Sequence, residues 1–237
     1  ILIISTPQDL PGFKRLLGDG SDYGVKFEYA EQPSPDGLAQ AFLLGEEFIN
    51  GEACAMVLGD NIFHGRHFSA TLEKAVKREG ATIFGYYVDN PEEYGVVTFD
   101  KDYNVLTLEE KPEKPKSHFA VPGIYFYDND VVKIAKSIKP SPRGELEITD
   151  VNRTYMENGK LQVIPLGKGY AWFDTGSADR LSDASDYVKA IELRQGTQIA
   201  CLEEIAYRNN WIDKAQVEKL AARCAKTEYG KYLMRII

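Results

Sequence analysis

The sequence predicts an α/β fold: a Rossmann-like, mostly parallel mixed sheet flanked by helices, with a small antiparallel insertion and a helical C-terminal region. Two observations lead to this prediction. Over residues 1–88, short apolar runs typical of strands alternate with helical patterns, which favours parallel strands joined by right-handed crossovers. Over residues 95–127, three strand-like runs follow one another with little helix between them, which favours antiparallel pairing.

Recognisable signals bound the elements in order. Gly18 and Gly20 end the first helix, and the loop 31–37 (EQPSPDG) leads into a segment whose apolar residues recur at helical spacing. The predicted strands span residues 1–6, 25–30, 53–58, 81–88, 95–99, 104–108, 119–127, 161–165 and 170–173. The predicted helices span residues 7–17, 38–49, 68–78, 130–138, 147–157, 178–193, 198–208, 213–224 and 230–235. We therefore expect a core domain over residues 1–177 and a helical region over residues 178–237.

Charge and cysteine content limit the partners and the compartment. The 237-residue chain has a formal net charge of −8, which argues against nucleic acid because nucleic-acid-binding domains usually present a basic face. No apolar run approaches the roughly 18 residues that span a bilayer, so no membrane partner is predicted. The three cysteines are odd in number and widely spaced, which favours a reducing, cytoplasmic location over a disulfide framework.

Two aspartates each follow an apolar, strand-like run in distant parts of the chain. Asp60 lies in the segment LGDN, and Asp174 lies in WFDTG. Because strand ends border the ligand crevice of an open α/β sheet, we expect both carboxylates to meet there. Two carboxylates completed by water and substrate phosphate suit Mg²⁺. Either aspartate alone is also typical of a turn or a helix cap, so the pair carries the prediction, and the neighbouring Asn61 amide would hold a phosphate or sugar hydroxyl.

The loop before the second helix has the residues of a base-recognition loop. A Gln side chain such as that of Gln32 has both a donor and an acceptor, which match the imide edge of thymine or uracil. The backbone near Gly37 offers the same pair of groups. The alternative is a rigid connection between a strand and a helix.

Two basic residues are candidates for holding a phosphate. Lys111 ends a strand, beside Glu110, and we expect Pro112 to fix the local backbone. Arg143 precedes a helix, where a guanidinium suits bidentate phosphate contact. The alternatives are a solvated charge run and a capping region, respectively.

In this order, the segments resemble the sugar-nucleotide pyrophosphorylases. The resemblance rests on residues 32–41 (QPSPDGLAQA), 58–61 (LGDN), 91–96 (PEEYGV), 110–112 (EKP), 144–150 (GELEITD) and 172–176 (WFDTG). Six ordered matches are far more specific than any one of them. The resemblance implies transfer of a nucleotidyl group from dTTP to glucose 1-phosphate, giving dTDP-glucose and pyrophosphate. It also implies a Mg²⁺ cofactor, a place in nucleotide-sugar biosynthesis leading to dTDP-rhamnose, and a homo-oligomer, commonly a tetramer.

The resemblance also implies a role for each site residue. The implied roles are Mg²⁺ ligation by Asp60 and Asp174, thymine reading by Gln32 and Gly37, glucose binding by Tyr94, Gly95, Glu110 and Val121, phosphate binding by Lys111 and Arg143, and walls formed by Tyr125 and Trp172.

One departure and three alternatives stay open at this point. The family opens with a strand and a Gly-rich loop of the form G-G-x-G-T-R-L-x-P-x-T, which this sequence does not contain. We expect either that the chain begins after this unit or that triphosphate binding is impaired, as in a non-catalytic or regulatory relative. A metal-dependent glycosyltransferase using a nucleotide sugar is a second alternative, although the Asp60-Asn61-Ile62 segment lacks the second carboxylate of a D-x-D pair. UTP in place of dTTP is a third.

Overall fold

The structure, a computed structural model, describes all 237 residues and contains eleven strands and ten α-helices. The strands are β1 Leu2–Ser5, β2 Glu28–Glu31, β3 Cys54–Val57, β4 Asn61–Gly65, β5 Ala81–Tyr87, β6 Gly95–Phe99, β7 Val105–Glu110, β8 Phe119–Ala120, β9 Ile124–Tyr127, β10 Leu161–Leu166 and β11 Tyr170–Asp174. The helices are α1 Leu10–Leu17, α2 Gln40–Leu44, α3 Glu46–Ile49, α4 Phe68–Val76, α5 Val131–Ser137, α6 Ile148–Glu157, α7 Ala178–Gln195, α8 Leu202–Arg208, α9 Lys214–Arg223 and α10 Glu228–Arg235. No helix is long and apolar enough to cross a membrane.

The predicted elements are present, and two differences have local physical causes. The helix predicted over residues 38–49 breaks at Gly45 into α2 and α3, because glycine is a poor helix former. The strand predicted over residues 119–127 is interrupted at Pro122, which has no N–H for the ladder, and forms β8 and β9. Strand β4 was not predicted, although it is central to the candidate site.

The α/β class is confirmed, but the large sheet is less parallel than predicted. Its seven strands run in the order β3-β9-β5-β8-β6-β7, and β10 pairs with β5 on the other edge. Only the β5–β10 pair is parallel; the other pairs are antiparallel. The connection from β7 to β8 contains no helix, and a parallel neighbour would need a longer crossover. Strands β3 and β5 still point the same way, with β9 antiparallel between them.

Residue contacts divide the chain into two compact units. One unit comprises residues 1–34 and 185–237, and the other comprises residues 35–184. In the first, Asp22 accepts hydrogen bonds from Gln216 and pairs with Arg223 on α9, which ties the N-terminal segment to the C-terminal helices. This grouping follows a different boundary from the one predicted at residue 177.

The unit of residues 35–184 has two apolar clusters that position its polar residues. The larger one packs α2, α5 and α6 on the seven-stranded sheet and includes the fully buried Tyr155 and Val151. The smaller one lies around Phe84 and packs α4 against β4 and β11, with the Phe63 and Phe68 rings stacked at 5.4 Å. Each buried side chain of this size contributes roughly 1.5–3 kcal/mol through burial.

Candidate active site

The two predicted metal ligands meet on a two-stranded antiparallel ribbon formed by β4 and β11. Its register places Asp174 opposite Asn61, and the Thr175 backbone N–H and hydroxyl donate to the Asp60 carbonyl at 2.9 and 2.8 Å. A Cβ added to Gly176 would lie 3.1 Å from Asp174 Oδ1 and 3.8 Å from Asp60 Oδ2. Both carboxylates therefore border the same small space. The ends of parallel strands, which we expected to bring them together, are not the cause.

The Asn61 side chain links the ribbon to its surroundings. Its Oδ1 accepts from Trp172 Nε1 at 2.7 Å and from the Gly123 backbone N–H at 2.9 Å, and its Nδ2 donates to Asp60 Oδ1 at 2.8 Å. The amide predicted to hold a substrate group is thus engaged within the protein. In this structure it orients Asp60 and Trp172.

The predicted wall residue Trp172 belongs to an aromatic group. Its ring lies 5.1 Å from that of Tyr94 and 5.6 Å from that of Tyr86. Burial raises the pKa of the Tyr94 hydroxyl, and the negative charge of Asp174 raises it further. Tyr94 is therefore close enough to the Asp174 carboxylate to be affected by its charge, and it also lines the cavity described next.

A cavity of about 180 Å³ brings together seven of the thirteen predicted site residues. It is lined by Leu38, Glu93, Tyr94, Gly95, Glu110, Lys111, Val121, Tyr125, Ile148, Thr149, Asn152 and Asp174. The cavity thus borders one of the two carboxylates of the ribbon. We refer to it below as the site cavity.

Strand register and helix α6 position Glu110 in the site cavity. Gly95 of β6 lies opposite Glu110 of β7, and the Thr149 hydroxyl of α6 donates to Glu110 Oε2 at 2.5 Å. A Cβ on Gly95 would come within 3.3 Å of that carboxylate and 3.4 Å of the Thr149 hydroxyl. Glycine at position 95 therefore leaves room for a polar group of a ligand beside Glu110.

Lys111 has an unusual backbone for a residue before proline. Its φ is +41°, in the left-handed region, whereas a residue before proline ordinarily adopts an extended conformation. The Lys111 N–H donates to the Tyr94 carbonyl at 3.0 Å. Backbone strain of this kind costs roughly 1–3 kcal/mol and persists only where the surroundings enforce it, often at functional sites.

Arg143 lies in the loop that precedes α6, and Gly37 packs against Leu146 of the same loop. The Arg143 guanidinium pairs with Glu145 at 3.0 Å and lies 3.7 and 3.9 Å from Glu147 and Glu110. It therefore touches a residue of the site cavity, among three carboxylates. A Cβ on Gly37 would fall 2.4 Å from the Leu146 carbonyl oxygen, and its φ is +103°, so only glycine fits at this position.

Tyr125 and Val121 are the remaining predicted residues that line the cavity. Tyr125 is 3 % exposed; burial raises the pKa of its hydroxyl, and the charges of Glu110 and Asp60 raise it further. Val121 donates its N–H to the Gly95 carbonyl at 2.8 Å.

Gln32 follows β2 in the unit of residues 1–34 and 185–237, and its role in base recognition stays a prediction.

The ribbon carboxylates fit a hard divalent cation. No group of three or more His, Cys, Asp or Glu side chains in the chain is arranged to hold a metal by itself. Mg²⁺ commonly uses one or two carboxylates with water and substrate phosphate, which agrees with the pair that borders Gly176. Metal binding by Asp60 and Asp174 stays a prediction.

Sequence reasoning missed several residues of the site. Arg180 Nη1 donates to Asp174 Oδ2 at 2.8 Å, its Nη2 pairs with Glu93, and its guanidinium lies 5.4 Å from the Tyr94 ring centroid. No spacing rule predicts such a contact. Thr149, whose hydroxyl donates to Glu110, lies within the segment 144–150 that carries the family resemblance. That position in a matched segment is the signal that could have identified it from sequence.

Comparison with known proteins identifies the family of the chain. The Nucleotidyl transferase family model matches residues 1–190. The chain is 55 % identical to a glucose-1-phosphate thymidylyltransferase of Neisseria gonorrhoeae and 52 % identical to one of Mycolicibacterium smegmatis, covering 100 % of this chain and 83 % and 82 % of those proteins. A structure from Bacillus anthracis, assigned as the same enzyme and in complex with sucrose, has a TM-score of 0.71 at 37 % identity, over 79 % of this chain and 75 % of that one. The predicted resemblance is confirmed: the chain belongs to the nucleotidyl transferase family, alongside the glucose-1-phosphate thymidylyltransferases.

Proposed function

We propose that the protein transfers a nucleotidyl group from dTTP to glucose 1-phosphate, giving dTDP-glucose and pyrophosphate. The observation that carries this proposal is the approach of Asp60 and Asp174 to one space beside Gly176, with Asp174 also lining the site cavity. Relatives at 50–55 % identity that bear the name glucose-1-phosphate thymidylyltransferase support the choice of substrates.

The reaction needs no general base. An oxygen of the glucose 1-phosphate phosphate group, already an anion at neutral pH, attacks the α-phosphorus of dTTP in line. The bond from that phosphorus to the pyrophosphate oxygen breaks, and pyrophosphate leaves with the electron pair. Catalysis then consists of positioning and charge neutralisation, which suits a cavity lined by carboxylates and one lysine and without histidine or cysteine.

The residues of the site cavity divide these tasks. Glu110, held by Thr149, would accept hydrogen bonds from sugar hydroxyls in the space that Gly95 leaves. Lys111 would neutralise the sugar phosphate, assisted by Arg143. Mg²⁺ bound to the ribbon carboxylates would neutralise charge on the α-phosphate of the nucleotide.

The finer parts of the proposal each rest on a separate argument. The proposed Mg²⁺ requirement rests on the chemistry of two carboxylate ligands, those of Asp60 and Asp174. A cytoplasmic location is supported by three cysteines that are all free. A homotetramer and a role in supplying dTDP-rhamnose synthesis follow from the family resemblance alone.

The direct test is pyrophosphate release by the purified protein with dTTP and glucose 1-phosphate. We expect release that depends on both substrates and on Mg²⁺, and a lower kcat/KM with UTP. Binding of dTDP-glucose without pyrophosphate release would instead identify a non-catalytic relative. Release of free nucleoside diphosphate from dTDP-glucose with an added acceptor would identify a glycosyltransferase.

A further inference from the structure

The carboxylates of Asp174 and Glu93 share one cationic partner, the guanidinium of Arg180. Arg180 lies in the first turn of α7, and its guanidinium bridges Asp174 at 2.8 Å and Glu93. Its face lies over the Tyr94 ring, 5.4 Å from the centroid, a distance at which a cation is attracted by the ring. Two ion-pair contacts and one ring contact therefore hold this side chain in place.

The contacts of Asp174 show what Arg180 does there. Asp174 Oδ1 accepts from the Gly176 N–H at 3.0 Å, and Oδ2 accepts from Arg180. The carboxylate is thus oriented by the protein on both oxygens. The Asp174 side chain is 22 % exposed and that of Arg180 is 31 % exposed, so solvent screens the pair only in part.

The net charge of Arg180 and the carboxylates around it determines how strongly Asp60 and Asp174 attract another cation. Arg180 pairs with Asp174 and Glu93, and Asp60 borders the same space as Asp174, so Arg180 cancels one of the three negative charges of this group. A divalent ion that approaches Asp174 meets the positive guanidinium bonded to the same carboxylate. The two positive charges repel each other, and because the pair is partly exposed, solvent weakens this repulsion without removing it.

We propose that Arg180 is a positioning residue that acts as a resident counter-cation for Asp174 and keeps the affinity of the ribbon for a free divalent ion low. The metal then binds well only when it arrives with the negative charge of the nucleotide phosphates, which offsets the repulsion. This inference rests on the proposed function, since it assumes that Asp60 and Asp174 ligate the metal.

The test is Mn²⁺ binding to the protein without nucleotide, measured by electron paramagnetic resonance of free Mn²⁺. We compare the wild type with Arg180→Gln, Arg180→Lys and Asp174→Asn. Removing the charge at 180 should tighten Mn²⁺ binding by roughly five- to tenfold, and Arg180→Lys should remain close to the wild type. Asp174→Asn should weaken binding. Structural damage would not tighten binding, so the direction of the change separates this role from a merely structural one.

A matched control removes an equal charge elsewhere in the same unit. Arg153 pairs with Asp150 on α6, and Arg153→Gln should leave Mn²⁺ affinity unchanged. Unchanged or weaker Mn²⁺ binding by Arg180→Gln, while Asp174→Asn still weakens it, would overturn the inference and leave the metal site standing. Binding that is undetectable in every variant, Arg180→Gln included, would overturn both.

Discussion

On the β4–β11 ribbon, hydrogen bonds made by Asn61, Gly176 and Arg180 hold the polar residues, whereas on the β6–β7 side strand register and helix α6 hold them. Asp174 is oriented by Gly176 and Arg180 near the surface. Glu110 is oriented by Thr149, which is 4 % exposed on α6. We therefore expect changes on the ribbon to reduce activity with little effect on folding, and changes on the β6–β7 side to reduce both.

The largest effect is expected from Asp174→Asn on the ribbon. Loss of a metal-ligating charge should reduce turnover by more than about tenfold. The free energy of unfolding should change little, because the pair of Asp174 and Arg180 is partly exposed and the amide oxygen can still accept one of the two hydrogen bonds that Asp174 receives. Steady-state kinetics with a Mg²⁺ titration, together with urea unfolding, would measure both. Asp183→Asn, an exposed change on the same helix α7, is the control, and near-normal turnover of Asp174→Asn would remove Asp174 from the metal site.

A second change tests whether Asn61 is the point that organises the ribbon. Asn61→Ala leaves the indole N–H of Trp172 and the Gly123 N–H without their acceptor, which costs roughly 1–3 kcal/mol of stability when the donors are buried. Turnover should also fall, since Asp60 loses its amide donor. Asn61→Asp keeps the acceptor but loses the donor to Asp60 and places a second carboxylate beside it, so it should be less stable than the wild type. Equal stability of the three proteins by urea unfolding would show that these hydrogen bonds contribute nothing.

On the β6–β7 side, Thr149→Val keeps the volume and removes the donor to Glu110. We expect a severalfold rise in the KM for glucose 1-phosphate and a loss of about 1–2 kcal/mol of stability. Thr149→Ser retains the hydroxyl and should restore most of the KM. If KM stays constant in Thr149→Val, Glu110 does not need this hydrogen bond to bind the sugar.

The core behind that side gives the smallest effect on activity. Tyr127→Phe removes the buried hydroxyl that donates to Asn152 Oδ1 at 2.7 Å, and we expect a loss of about 1–2 kcal/mol of stability with normal kcat. Asn152 also lines the site cavity, so a change in KM without a change in stability would show that the hydroxyl acts on the site rather than on the fold. Tyr103→Phe on an exposed tyrosine is the control.

Three buried tyrosines predict how the stability of the protein depends on pH. Burial raises the pKa of Tyr125, Tyr127 and Tyr155 above the ordinary value, which is about 10 for tyrosine. The folded protein therefore retains protons that the unfolded chain loses above about pH 10. Stability should be unaffected by these groups below that pH and should fall above it, by up to ~1.4 kcal/mol per pH unit for each tyrosine. Urea unfolding from pH 8 to 11 would measure the slope, which Tyr127→Phe should reduce; a flat profile would contradict the prediction.

Much of this architecture follows from local signals. The order of strands and helices, the break of a strand at Pro122 and the end of α1 at Gly18 each depend on a few adjacent residues. The short strand β4 was missed because its five residues, NIFHG, carry a weak pattern and its partner β11 lies about 110 residues away along the chain. For the same reason, Arg180 had no signal, since its contact with Glu93 joins residues that are 87 positions apart.

The sequence by itself determined the α/β class and predicted that the carboxylates of Asp60 and Asp174 lie near each other, because residue type and local spacing carry that information. Only the tertiary structure decided how the two carboxylates come together, through the antiparallel register of β4 and β11. It also decided which cation faces them and which hydroxyl holds Glu110. These depend on long-range packing, in which side chains from separate segments meet at distances that no local pattern specifies.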